Sequence, residues 1–166
     1  IYQMLSHGVN VVALFYVCDI LTNRMNTDNM QKMGGIRNVS RTFSVLFLII
    51  IFGSIAIPLT NGFVGEFLLL HGIFQYNTVM AVFSSLTVIL GTLYLMRAYH
   101  KIMHGETNTL TETFGTITLN EKIILAGFVV LILFFGIFPN IILQVSEPQV
   151  KQLIEHVHHA LAMAKH

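Results

Sequence analysis

Glu66 is a carboxylate in a stretch that offers it almost no partner. Residues 43–74 read FSVLFLIIIFGSIAIPLTNGFVGEFLLLHGIF, with one acid, one histidine and no basic side chain. An acid at the centre of a bilayer costs about 2.5–3.5 kcal/mol on insertion scales, so an intramembrane ionisable group reads first as part of an ion path or proton relay. Eight residues before it stands Pro58, followed by Thr60, Asn61 and Gly62. This is the chemistry of a helix interruption: proline removes a backbone donor, and the freed carbonyls need side chains or water. Half-helix ends created in this way carry partial charge and line cavities in transporters. A titratable carboxylate just beyond such a break has a protonation state that its surroundings can switch. The alternative is a glutamate paired silently with a neighbouring lysine, beside a kink without function.

His7 is the second residue suited to proton transfer. It lies about 18 Å from the basic end of the first apolar stretch, near mid-membrane depth, and imidazole is the side chain that titrates nearest neutrality. Ser6 and Asn10 flank it, either extending a polar path or satisfying the ring. His71, five residues beyond Glu66, and Asp19, near the end of the first span, are candidates for an exit or entrance. An interfacial place for His71, and a pair with Arg24 for Asp19, are the favoured readings. His100 and His104 have a spacing that suits metal on a helix, but they stand beside Lys101 at a span end, and an interfacial role is favoured. The tail histidines His156, His158 and His159 lack a thiolate or carboxylate framework. No metal site is expected, and with His7 the only deep histidine a paired-histidine haem site is not expected either.

The elements that must hold these residues follow from hydropathy. Of 166 residues 54% are hydrophobic and only 10% charged, far below the roughly 25% charged residues of a soluble domain. The chain therefore reads as an all-α, polytopic membrane protein. The net charge of +1 gives no reason to expect a nucleic-acid partner. The single cysteine, Cys18, excludes an internal disulfide and reads as a small buried apolar residue. Four spans are predicted: 2–21, 43–74, 78–96 and 122–143. The second would stretch about 48 Å as one helix against a core of ~30 Å, so it is expected to break at Pro58–Gly62. Residues 1–145 form the membrane part. In the tail, 146–166, Ser146 suits an N-cap and Pro148 a first turn, and Val150, Leu153, Ile154, Val157 and Leu161 follow a helical period. An amphipathic helix at the membrane surface or against a partner is expected there. Arg24, Lys32, Arg37 and Arg41 follow the first span, and Arg97, Lys101 and Lys122 the third. The positive-inside rule puts both loops on the cytoplasmic or matrix side and the tail on the other. The chain begins at Ile1 with no signal-peptide pattern and reads as the C-terminal part of a longer subunit.

The segment PLTNGFVGEFLLL, 58–70, resembles the broken-helix motif of the antiporter-like subunits of respiratory complex I, especially the M type (subunit 4 in mitochondria). Ser6-His7-Gly8 resembles the histidine motif of the preceding helix. Arg24, Met30, Gly34 and Gly35 resemble the family's loop, and Gly136-Ile137-Phe138-Pro139-Asn140 the end of its last span. The resemblance implies the last four of fourteen spans of a proton-translocating, non-redox subunit of NADH:quinone oxidoreductase. Glu66 would be the terminal proton-handling group, and His7 part of a polar axis leading to lysines on earlier helices. Related cation/proton antiporters generally carry lysine on this helix, so glutamate points to the M type; a hydrogenase-linked subunit or a structural scaffold without an ion path are the other readings. The resemblance implies no cofactor in this chain, with NADH, FMN, iron–sulfur clusters and quinone held by other subunits. It implies neighbouring antiporter-like subunits and the lipid bilayer of a bacterial or mitochondrial inner membrane as surroundings. Three departures stand out: Leu59 replaces the glycine usual after the proline, Asp28-Asn29 stands where Arg-Asp is common, and the tail matches little of the family.

Overall fold

The computed structural model describes residues 1–163, without the side chains of 158–162; His158, His159 and Leu161, named above, lie outside the described side chains. The described residues form helices α1 (Tyr2–Met25), α2 (Ile36–Val39), α3 (Arg41–Ser54), α4 (Asn61–Tyr76), α5 (Thr78–Met103), α6 (Thr109–Phe114), α7 (Leu119–Ile137) and α8 (Asn140–Met163), with a 3-10 turn at Met30–Lys32. The all-helical reading holds. Three of these helices, α1, α5 and α7, are long and apolar enough to cross a membrane, and α3 is a shorter apolar helix.

The core lies where α1, α3 and α7 meet. Ala13, Val17, Phe43, Ile50, Ile51, Leu125 and Ile132 are all buried there. On α1 the buried positions Ser6, Asn10, Ala13, Val17, Ile20 and Leu21 recur every three or four residues, which is one helix face. Cys18, one residue past Val17, is rotated off that face and is exposed, not buried as its residue type suggested. α5 packs chiefly along α4 and buries only Tyr99, Ile102 and Met103, all near its end.

The two basic loops interlock at one end of the bundle. The amide of Gly35 donates to the His104 carbonyl at 3.1 Å. The Thr111 hydroxyl donates to the Gly34 carbonyl at 2.6 Å, and the Asn108 amide to the Lys32 carbonyl at 2.9 Å. Gly35 has φ +69, and a Cβ on it would press on the Glu106–Thr107 backbone, so the approach requires glycine. Arg24 ties the end of α1 to the start of α7. Its guanidinium meets the Glu121 carboxylate at 2.6 Å and donates to the Phe114 and Thr116 carbonyls. The same Glu121 completes a capping box with Thr118. Arg24 therefore pairs with Glu121 rather than with Asp19, whose carboxylate instead accepts from Asn23 at 3.0 Å on the exposed face of α1.

The last part of the chain departs from expectation. α7 ends at Ile137, before Pro139, and a new helix starts at Asn140 and runs on through Pro148. Ser146 does not cap it: its hydroxyl donates to the Ile142 and Leu143 carbonyls, both at 3.1 Å. Proline needs no amide hydrogen in a first turn, but here the helix is already under way, with Pro148 in its interior. Val150, Leu153, Ile154 and Val157 are exposed on it.

Candidate functional site: a helix interruption beside two hollows

The interruption begins earlier than the sequence motif. Regular helix stops at Ser54 and resumes at Asn61, so Gly62 lies inside α4. Proline's ring clashes with the carbonyl four residues before it; for Pro58 that residue is Ser54. Between the helices Ala56 (φ 57) and Leu59 (φ 77) take left-handed backbone. Leu59 is thus a non-glycine residue at a position whose conformation favours glycine.

The freed backbone groups find specific partners. The Thr60 hydroxyl donates to the Ile57 carbonyl at 2.7 Å. The Asn10 amide donates to the Gly53 carbonyl at 2.9 Å. The Ser6 hydroxyl donates to the Asn61 carbonyl at 3.3 Å, and the Asn61 amide returns a bond to the Ser6 carbonyl at 3.4 Å. Ser6 and Asn10 therefore serve the interruption and not the His7 ring. Close packing holds the same region: a Cβ on Gly62 would collide with the Gly53 carbonyl, and one on Gly136 of α7 with the Leu59 carbonyl.

Two hollows flank Glu66. One, about 190 Å³, is lined by Gln3, His7, Asn10, Gly53, Gly62 and Tyr94 among others, as well as by Ser54 and Glu66. The other, about 280 Å³, lies between α4 and α5 and includes Leu69, Ile73, Ser84, Thr87 and Thr92 in its wall. Gln3, Ser54 and Glu66 line both. Glu66 thus stands where the hollows adjoin, and its Oε2 is buried without a hydrogen-bond partner. The Oδ1 of Asn10 and the Oε1 of Gln3 are likewise buried and unpartnered. Each hollow exceeds the ~30 Å³ share of one water in liquid, and each presents several polar groups, which is what a hydrated cavity requires.

The structure brings His7 and Glu66 to one hollow. His71 lines neither; it stacks on Phe67 with ring centroids 6.2 Å apart and meets Gln75 at 3.0 Å. Asp19 also lies away from both. His100 and His104 stack at 4.9 Å, and no metal-suited group of three such side chains occurs among the described residues. Sequence reasoning missed Gln3, Ser54, Ser84 and Thr87. A signal for the first existed: Gln3, His7 and Asn10 are four and three residues apart, a polar stripe along one helix face. Ser84, Thr87 and Thr92 give no such signal, because a hydroxyl bonded back to its own helix is common in apolar helices.

An all-helical bundle with three helices long and apolar enough to cross a membrane, and a cavity-lining carboxylate on a further apolar helix, defines a polytopic membrane protein. A family model for the NADH:quinone oxidoreductase/Mrp antiporter transmembrane region matches residues 1–92, and the chain belongs to that family. It is a multi-pass membrane protein. It is 39% identical over 155 residues to NADH-quinone oxidoreductase subunit M of Rickettsia prowazekii (strain Madrid E), a match covering 93% of this chain and 32% of that protein. It is 32% identical over 158 residues to NADH-ubiquinone oxidoreductase chain 4 of Marchantia polymorpha, covering 94% of this chain and 32% of that one. Among solved structures it resembles a chain of respiratory complex I from Thermus thermophilus with bound NADH. There the TM-score is 0.75 at 26% identity, over 83% of this chain and 29% of the other. The chain thus spans about a third of the length of the relatives it matches.

Proposed function

We propose that the chain forms part of a proton-translocating membrane subunit of an NADH:quinone oxidoreductase, and that Glu66 is its terminal proton-handling group. The observation that carries this is the position of the carboxylate at the junction of two hollows that hold several polar side chains, one of them shared with His7. α3 and α4 act as the two halves of one broken span around Pro58, Thr60, Asn61 and Gly62, which makes four spans in all. His7 passes protons to Glu66 through the smaller hollow, and the hydroxyl-lined hollow between α4 and α5 leads onward. Asp19 and His71, away from both hollows, have at most an outlying part in the path, near its ends. Residues 1–145 form the membrane part and 146–166 a tail.

The chain itself carries no redox centre. NADH, FMN, iron–sulfur clusters and quinone belong to other subunits, and neighbouring antiporter-like subunits are its partners within the membrane. Redox energy released elsewhere biases the protonation of Glu66.

Glu66→Gln keeps the size and most of the hydrogen bonding of the side chain but removes the titrating proton. In the full-length protein within its complex, the variant should assemble normally and lose most proton pumping, measured as acidification per NADH oxidised in sealed vesicles. Glu66→Asp should be milder. A well-assembled Glu66→Gln complex with full pumping refutes the proposal.

A further inference from the structure

The wall shared by the two hollows holds oxygens that lack a donor. Gln3 Oε1 and Glu66 Oε2 are each buried without a hydrogen-bond partner, and both residues line both hollows. The two atoms are enclosed by this chain itself, so no group beyond it reaches them while the helices hold their places. A buried acceptor without a donor is costly, and a buried charged one more so.

The Gln3 side chain of α1 lies across Gly65 of α4. A Cβ on Gly65 would collide with Gln3 Oε1 and come within 2.9 Å of its Cδ, so only glycine leaves room for the amide there. Gly65 is itself buried and directly precedes Glu66. The amide oxygen thus rests on the residue next to the acid, one Cα step of about 3.8 Å away along the chain.

The other donors of these walls are committed elsewhere. The Ser54 hydroxyl donates to the Ile50 carbonyl at 3.1 Å, that of Thr87 to the Ser84 carbonyl at 2.6 Å and that of Thr92 to the Val88 carbonyl at 2.8 Å. His7, Tyr94 and Ser84 also line the walls, but none of them meets either oxygen. Among the described residues no lysine or arginine lines either hollow. Asn10 Oδ1, the third unpartnered oxygen, faces Gly53, where a Cβ would come within 3.0 Å of it. What the wall lacks is one donor, and a neutral carboxyl carries one in its O–H.

We propose that Gln3 is a positioning residue for Glu66. Its side-chain carbonyl, seated on Gly65, accepts the hydrogen bond of the protonated carboxyl and so holds the proton at the boundary between the two hollows. This rests on the reading of Glu66 as the proton-handling group.

The test is infrared difference spectroscopy of the intact complex at neutral pH. The carboxyl C=O band that disappears in E66Q belongs to protonated Glu66. Hydrogen bonding lowers the frequency of such a stretch. Q3M keeps the length of the side chain and fills the same seat without a carbonyl, so it should move the band to higher wavenumber. G65A keeps the amide but displaces it from its seat, and should move the band the same way. Y2F removes the hydroxyl that the neighbouring Tyr2 donates to the Phe135 carbonyl at 2.6 Å, outside both hollows, and should leave the band in place. Should one of Q3M and G65A fail to assemble, the other decides. No carboxyl band lost in E66Q, an unmoved band in assembled Q3M or G65A, or an equal shift in Y2F overturns the proposal. The readout is separate from pumping. An unmoved band in Q3M beside lost pumping in E66Q refutes the role of Gln3 alone, whereas full pumping in E66Q refutes the reading of Glu66.

Discussion

His7 shows how a residue's surroundings decide what its mutation can report. Its residue is exposed, lines the smaller hollow and, among the described residues, has no side-chain hydrogen bond, so its removal leaves no buried partner among them unpaired. His7→Ala should therefore change the stability of the assembled protein by no more than about 0.5 kcal/mol, while pumping falls. Blue-native electrophoresis beside a vesicle proton assay separates the two effects; a loss of assembly that matches the loss of pumping would make His7 a structural residue. Leu59 offers the opposite case, a residue whose backbone is the issue. It holds φ 77 with its side chain 68% exposed, so little packing is lost when the side chain is removed. Left-handed backbone at a non-glycine residue costs about 1–3 kcal/mol, part of which glycine returns through its larger unfolded entropy. Leu59→Gly should stabilise the protein by about 0.5–1 kcal/mol, read as a higher midpoint of thermal unfolding in detergent. The resemblance placed glycine at this position, and the structure supplies the physical reason.

At the scale of elements, the helices were legible and their ends were not. Apolar runs long enough to span announced α1, α5 and α7, while 43–74 holds two helices, α3 and α4, with an interruption between them. Its true start at Ser54 follows from proline acting on the carbonyl four residues earlier, a reach that a motif centred on Pro58–Gly62 does not display. The helix predicted in the tail is present, but its start was misplaced for a different reason. Ser146 and Pro148 have the composition of a helix start, but Pro139 had already ended α7 and allowed α8 to begin at Asn140. The partner of Arg24 was also illegible, since Asp19 is near in sequence and Glu121 only in space. That pairing is a salt bridge between the ends of α1 and α7. Arg24→Ala should cost about 2 kcal/mol, because it leaves a partly buried carboxylate and two carbonyls without their donor. Hydrogen exchange of 114–122 should rise in the variant, and exchange unchanged there would show that the capping box alone holds the start of α7.

The whole molecule is arranged so that everything basic in its loops meets at one end and the Asn77 turn lies at the other. The interlocked loops require 26–40 and 104–118 to share a side of the membrane whatever the orientation. Charge asymmetry made that readable in the sequence; the contacts from Gly34, Gly35 and Thr111 were not readable, being long-range and built from unremarkable residue types. The orientation itself is open to labelling. With Cys18→Ser as background, single cysteines at Glu106 and at Gln152, both exposed, should react with a membrane-impermeant maleimide from opposite faces of sealed vesicles. Glu106 should label from the cytoplasmic or matrix face. Reaction of both from one face would discard the four-span arrangement and with it the continuous broken span.

The glycines at the interruption have a mechanical consequence. Gly62 of α4 rests on the Gly53 carbonyl and Gly136 of α7 on the Leu59 carbonyl, while Asn10 and Ser6 of α1 bond to the same segment. A joint pressed by backbone on two sides and stitched from a third has no room to swing. It behaves as a rivet rather than a hinge. On the proposed proton path, charge would therefore pass this joint by the turning of side chains and water rather than by a swing of the main chain.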